Sequence, residues 1–287
     1  MSLDSALALI DSVKDFKVVF VGDKIVDEYH YVTPLGKAAK EHLIPVRFQN
    51  KESFLGGTDA AAKHAATFCG KVDIYSIGPV VRKVRFVDAN YLRKMFQVDY
   101  YDGKGGRPWN RFDDYDCVAV TDFGHGEIKD AKVFRDAPFL AVSAQTNASN
   151  IGFNLITKYP AADYIVIDEP EARLAAVDQD GHIEDVIEKL ARGRCDKFIV
   201  THGLHGAYGY DHGRFHHCKA FAERAIDTMG AGDAFFAVTA PMSKTGSIED
   251  LLLIGNAAAT LKCNIIGHRA SVTKEALVDF LQSHVRT

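Results

Sequence analysis

Five short runs rich in β-branched residues each carry a glycine, aspartate, serine or glutamate at or next to the carboxyl end, with helical stretches between most of them. They are FKVVFVGD (16–23), CVAVTDFGHG (117–126), PFLAVSA (138–144), DYIVIDE (163–169) and KFIVTHG (197–203). A strand that is apolar at every position, rather than at every second one, is covered on both faces. That is the situation of a mostly parallel sheet between layers of helices. Such sheets bind ligands in the crevice beyond the carboxyl ends of their strands, and the polar and glycine residues collect at those ends here. Helical patterning is predicted over 57–69, 150–159, 171–177, 183–192, 232–243, 248–263 and 274–285. The 248–263 stretch, IEDLLLIGNAAATLKC, is apolar nearly all round and predicts a buried helix.

Two segments break the alternation. Residues 29–48 and 82–101 read as extended and aromatic-rich, which predicts strands of a second small sheet serving as a lid or a dimer clasp. The loop DGKGGRPW (102–109) has the composition of a linker. Histidines 202, 205, 212, 216 and 217 cluster, but without regular spacing or an acidic partner motif, so an exposed hairpin accounts for them better than a metal site.

Composition excludes several classes. A net charge of −4 gives no electrostatic reason for a nucleic acid or an anionic membrane as partner. No apolar run approaches the ~20 residues that span a bilayer. The start of the chain carries Asp4 and Asp11 and lacks a basic segment, so it does not read as a secretory signal. Five scattered cysteines without a C-x-x-C suit reduced thiols, and a cytoplasmic location is expected.

The strongest chemical signal is Asp227-Thr228-Met229-Gly230-Ala231-Gly232-Asp233, followed by the helical AFFAVTA. A Gly-Ala-Gly turn opening a helix gathers backbone N–H groups and the positive end of the helix dipole around one point, which suits an anion. A carboxylate in that ring of donors does not serve simply to bind the anion. It is suited to taking a proton from an attacking hydroxyl while a phosphoryl group is transferred.

This string resembles the signature of the ribokinase, or PfkB, carbohydrate kinases. Neither a P-loop nor a dinucleotide fingerprint is present. The resemblance implies an α/β ribokinase-like three-layer fold: a mostly parallel central sheet flanked by helices, with a small β lid, in one domain over 1–287. It also implies ATP with Mg²⁺, a monovalent cation such as K⁺, and phosphorylation of a hydroxyl on a sugar, sugar phosphate or nucleoside. Asp233 would then be the catalytic base, with Gly230, Ala231 and Gly232 lining the anion hole.

Other positions follow the same resemblance. Asp27, ending V-G-D-K-I-V-D, would hold sugar hydroxyls, and Gly56 and Gly57 would let the backbone approach the sugar. Thr201, Gly203, Gly206 and Thr228 would meet the nucleotide phosphates and ribose, with Asn256 and Gly267 at the adenine pocket. For Asn256, a polar contact of a buried helix is an equal alternative.

A closer likeness is to kinases of D-glycero-D-manno-heptose 7-phosphate. Thr121-Asp122-Phe123-Gly124-His125-Gly126 is similar to their S-D-Y-G-K-G, which adds Asp122 to the substrate site. A phosphorylated substrate would call for basic groups, and Lys37, Lys40, Lys83 and Arg85 are candidates, with a solvated lid surface as the alternative for each.

The chain departs from the family pattern in four places. The connection around 78–82 is shortened. The N-x-x-E that would organise Mg²⁺ reads Asp168-Glu169-Pro170-Glu171, so Glu171 fits and Asp168 replaces an amide. His125 stands where lysine is usual, and 143–154 lacks a D-P-K-like stretch. Two functions follow: a sugar or sugar-phosphate kinase, or a catalytically weak sensor of the same ligands. The lid strands also predict a homodimer.

Overall fold

The computed structural model describes residues 2–76, 78–102, 111–221 and 226–285. The first half runs α1 (Leu3–Ser12), β1 (Lys17–Gly22), β2 (Lys24–Pro34), β3 (Val46–Gly56), α2 (Gly57–Ala65), β4 (Lys71–Tyr75), β5 (Val80–Asp88) and β6 (Arg93–Asp102). The second half adds β7 (Cys117–Asp122), β8 (Leu140–Ala144), β9 (Tyr164–Asp168), α3 (Glu169–Ala176), α4 (Ile183–Ala191) and β10 (Lys197–Thr201). It finishes with β11 (Ala207–Asp211), β12 (Arg214–Cys218), α5 (Ala231–Met242), α6 (Ile248–Cys263) and α7 (Lys274–His284).

Eight strands form the central sheet in the order β12-β11-β10-β9-β8-β7-β1-β4. From β10 to β4 the pairing is parallel, and β11 and β12 close one edge as an antiparallel hairpin. The unbroken apolar strands have the expected cause. In β1, Val18 and Phe20 pack on one side with α1, α2, α5, α6 and α7, while Val19 and Val21 pack on the other with α3 and α4. α6 is buried along most of its length, as its composition predicts. Gly255 lies where a Cβ would be 2.3 Å from the Phe235 ring, so α5 and α6 can touch only through a residue without a side chain. That close packing offsets the ~1 kcal/mol that glycine costs inside a helix.

The second sheet has the order β3-β2-β5-β6. It leaves the main sheet abruptly, with Asp23 alone separating β1 from β2. The Asp23 carboxylate accepts N–H groups from Phe123 (2.9 Å), His125 (3.3 Å) and Glu127 (3.1 Å), which fixes the crossing against the loop after β7. Four residues join β4, at one edge of the main sheet, to β5 of the small one.

Two expectations need correcting. The predicted helix over 150–159 is a set of turns with one 3₁₀ segment, Ile156–Lys158. There, side-chain amides compete with the helical ladder. Asn150 Oδ1 accepts from Asn147 N, while Asn150 and Asn154 donate to the carbonyls of Phe123 and Asp122. The extended reading of 29–48 fails over 35–45, a loop closed by Leu35 N to Pro45 O and turned at Gly36 with φ +87°. The extended reading of 82–101 holds: it forms two strands of the small sheet, β5 turning into β6 at 89–92. The DGKGGRPW linker, beyond Asp102, lies outside the described residues. No helix among the described residues is long and apolar enough to cross a membrane.

Candidate functional site

The carboxyl ends of β8, β9 and β10 meet the start of α5 around a cavity of about 180 Å³. Ser143, Gln145, Thr146, Val166, Ile167, Asp168, Glu171, Thr201, Gly230, Gly232 and Asp233 line it. Six of the residues singled out from sequence therefore share one wall. Gly230 is the residue before α5 and has φ +73°, a left-handed conformation that glycine adopts without strain. The turn is clamped by Asp227, whose carboxylate accepts Met229 N at 3.1 Å and Gly267 N at 2.9 Å. Ala231 and Gly232 follow as the first helical residues.

Gln145 Nε2 donates to Asp233 Oδ1 and so orients it. Burial raises the Asp233 pKa above the usual carboxylate value, against the opposing hydrogen bond of Gln145 and the nearby charges of His268 and Lys262. A carboxylate with a raised pKa is a stronger base, which is the useful direction for abstracting a hydroxyl proton.

Asp168 and Glu171 form the reciprocal cap of α3: Glu171 N donates to Asp168 Oδ1 at 2.8 Å, and Asp168 N to Glu171 Oε2 at 3.0 Å. The D-x-x-E spacing is thus also a capping box, a signal present in the sequence. An aspartate serves there as well as an asparagine. Glu171 Oε1 accepts in addition from Thr146 N at 2.8 Å. Burial, and secondly the Asp168 charge, push the Glu171 pKa up to about 8. The folded protein therefore binds a proton that the unfolded chain releases near 4.5. Stability from this group is lost as pH rises from about 4.5 to about 8. Urea midpoints across that window should fall for the wild type and fall less for Glu171→Gln.

A second cluster lies under the small sheet. β2 and β5 are parallel with Asp27 opposite Lys83 and Tyr29 opposite Arg85, so these side chains share the inner face. Arg85 bridges Asp27 Oδ1, and His268 Nε2 stands 3.4 Å from Asp27 Oδ2. Burial alone would raise the Asp27 pKa, but His268 and Arg85 outweigh it and hold the carboxyl below its usual range. Gly56 is needed because a Cβ there would be 2.2 Å from Asp27 Oδ2. Gly57, with φ +57°, opens α2 beside it. Lys83 is 8% exposed, and burial lowers its pKa against the charges of Asp27 and Asp99.

His268 joins the two clusters. Its Nε2 lies 3.4 Å from where a Cβ on Gly56 would be, and its Cε1 lies 3.4 Å from the same point on Gly230. One imidazole thus separates Asp27 from the anion turn. Gln145 and Lys262 were not singled out from sequence, and His268 entered only as part of the 267–270 turn expected at the adenine pocket, without a role of its own.

Other expected residues are placed elsewhere. Asp122 is buried in a network of Lys158, Tyr159 Oη (2.7 Å), Gly124 N (3.0 Å) and Asn154 Nδ2 (3.2 Å), which leaves it no face toward the crevice. Lys37 and Lys40 are exposed in the loop after β2, at the opposite end of that strand from Asp27. The Asn256 amide donates to Cys218 O at 3.0 Å and Lys219 O at 3.4 Å, tying α6 to the end of β12. Gly206 turns against Cys218 O, which a Cβ would approach to 2.0 Å. Gly203 is exposed in a 3₁₀ turn after β10, and Thr228 is exposed beside Gly230. Gly267 is buried, its N–H held by Asp227. The histidine cluster lies on and around the β11–β12 hairpin, and no group of three metal-ligating side chains occurs among the described residues.

Residues 151–275 match the family model described as pfkB family carbohydrate kinase. Over 156 residues the chain is 28% identical to "Probable fructokinase-6, chloroplastic" of Arabidopsis thaliana, an alignment covering 50% of this chain and 40% of that relative. Among solved structures, ribokinase of Thermotoga maritima superposes with a TM-score of 0.71 at 18% identity, covering 93% of this chain and 99% of the other. Nucleoside kinase of Methanocaldococcus jannaschii gives 0.70 at 17%, covering 95% and 100%. Phosphofructokinase-2 of Escherichia coli, in complex with potassium, gives 0.70 at 11%, covering 94% and 100%. The solved structures show that the fold is ribokinase-like, and the likeness to pfkB family carbohydrate kinases lies in residues 151–275.

Proposed function

We propose that this chain is an ATP-dependent carbohydrate kinase that transfers the γ-phosphate to a hydroxyl of a sugar or sugar phosphate. The observation that carries the reading is Asp233, held by Gln145 in the lining of a cavity directly after the Gly230–Gly232 turn. In this reading Asp233 accepts the proton of the acceptor hydroxyl as that oxygen attacks phosphorus. The bond from the γ-phosphorus to its bridging oxygen breaks, and ADP leaves. Amides at Gly230, Ala231 and Gly232 stabilise the charge that develops on the transferred group. Thr201 lines the same cavity and is assigned to the nucleotide phosphates.

Asp168 and Glu171 line this cavity with Asp233, but no three-ligand metal group occurs among the described residues, so a divalent cation here would come with the nucleotide and be held largely by phosphate oxygens. Mg²⁺ arriving with the triphosphate would be held beside Asp168 and Glu171 and would neutralise phosphate oxygens.

Asp27 is assigned to the acceptor sugar. Each of its oxygens keeps a lone pair for a hydroxyl beyond its contact with Arg85 or His268. Lys83 and Arg85, on the same face, favour an acceptor that already carries a phosphate, and heptose 7-phosphate is the best single candidate. The test is ADP release from Mg·ATP against a panel of heptoses, hexoses, their phosphates and nucleosides. Release with one sugar class supports the kinase; ATP binding without release on any member identifies a sensor instead.

A homodimer is part of the same proposal, since β3 and β6 are both edges of the small sheet and pairing would protect them. Light scattering at micromolar concentration should report twice the chain mass; a monomer would refute it.

A further inference from the structure

We infer that the Lys262 ammonium is the monovalent cation of this site, built into the chain, so that the protein has no use for potassium there. Lys262 stands in the last turn of α6 and is fully buried, at 0% exposure. A buried ammonium needs acceptors, and its acceptors are not side chains. Its Nζ donates to Met229 O at 2.7 Å and to Ile265 O at 3.3 Å. The first carbonyl belongs to the anion turn before α5, the second to the loop after α6.

Two loops therefore turn carbonyl oxygens onto one positive charge, and a carboxylate completes the set. Asp227 holds the same two loops through Met229 N and Gly267 N, and its negative charge acts on Lys262, as does that of Asp233. Converging carbonyls beside a carboxylate are the donors that strip the water from a monovalent cation. Here a tethered ammonium occupies that place. Space is already taken, since a Cβ on Gly230 would lie 3.4 Å from Lys262 Cε. A free cation bound to the same carbonyls would face an ammonium of like charge in a poorly screened interior. The consequence is an anion turn that is ordered without added salt.

The effect on catalysis rests on the kinase reading, but the cation assignment can be tested apart from it. Melting midpoint, and ATP affinity by calorimetry, would be measured in potassium, sodium and tetramethylammonium chloride at one ionic strength. The wild type should give the same values in all three. Lys262→Met should melt lower in tetramethylammonium and bind ATP about tenfold or more weakly, with part of both losses recovered in potassium. A wild type whose melting midpoint or ATP affinity rises saturably with potassium alone overturns the inference. So does a Lys262→Met protein that matches the wild type in tetramethylammonium. If the variant does not fold, the wild-type salt comparison decides. If the wild type binds no ATP, the kinase reading fails, while its melting comparison still decides the cation assignment.

Discussion

Replacing Asp233 by asparagine is expected to lower sugar-dependent ADP release by about 10²–10⁴-fold while ATP affinity stays nearly unchanged. The substitution keeps shape and an oxygen that can accept from Gln145 Nε2, so the cavity wall should not move. It removes the group that takes the proton. Stability should not fall either. Burial raises the Asp233 pKa, which means that the ionised carboxylate is disfavoured in the fold, and a neutral amide lifts that penalty. The combination is diagnostic: turnover lost, nucleotide bound, melting midpoint equal or higher. A variant that turns over within a few-fold of wild type would remove Asp233 from the chemistry.

Removing Asp27 should act on stability as well as on function. Its carboxylate is 3% exposed and is the counter-charge for Arg85, with His268 on the other oxygen and Lys83 opposite on β5. Asp27→Ala takes the carboxylate from the largely buried Arg85 and leaves Lys83 only the charges of Asp99 and Asp23, and breaking a buried pair costs about 3–5 kcal/mol in comparable settings. Asp27→Asn keeps hydrogen-bond acceptance and should cost less. Urea unfolding of the two variants measures the difference. A second replacement, Lys83→Met, should recover part of the alanine loss because it removes a buried charge that has lost Asp27. In the kinase reading, Asp27→Asn should also raise KM for the acceptor far more than KM for ATP. An Asp27→Ala protein as stable as wild type would mean that the cations relax into water.

Much of this architecture was legible beforehand, for identifiable reasons. The central strands are apolar on both faces, so their composition alone marks a covered parallel sheet, and β1 bears it out residue by residue. The anion turn was legible because a Gly-Ala-Gly opening is a local device, complete within seven residues. What escaped was assembled by packing. Gln145 comes from the loop after β8, Lys262 from α6 and His268 from the loop after α6, and only the fold brings them to Asp233 and Asp27. The false helix over 150–159 arose because asparagine amides bonded to distant carbonyls are invisible to periodicity. Asp122 looked like a ligand because it ends a strand at the crevice, yet Lys158 and Tyr159 claim it. The Asp168–Glu171 pair carried a second, local meaning as a helix cap that was readable from its spacing.

The central claim is that the γ-phosphate of ATP passes to a sugar hydroxyl in this crevice. Phosphorus NMR of wild-type protein with Mg·ATP and the acceptor panel tests it most directly. The account predicts a new phosphomonoester resonance appearing in step with ADP, with one class of acceptor and not in its absence. ATP left intact with every acceptor, or converted to free phosphate whether or not a sugar is present, would contradict it.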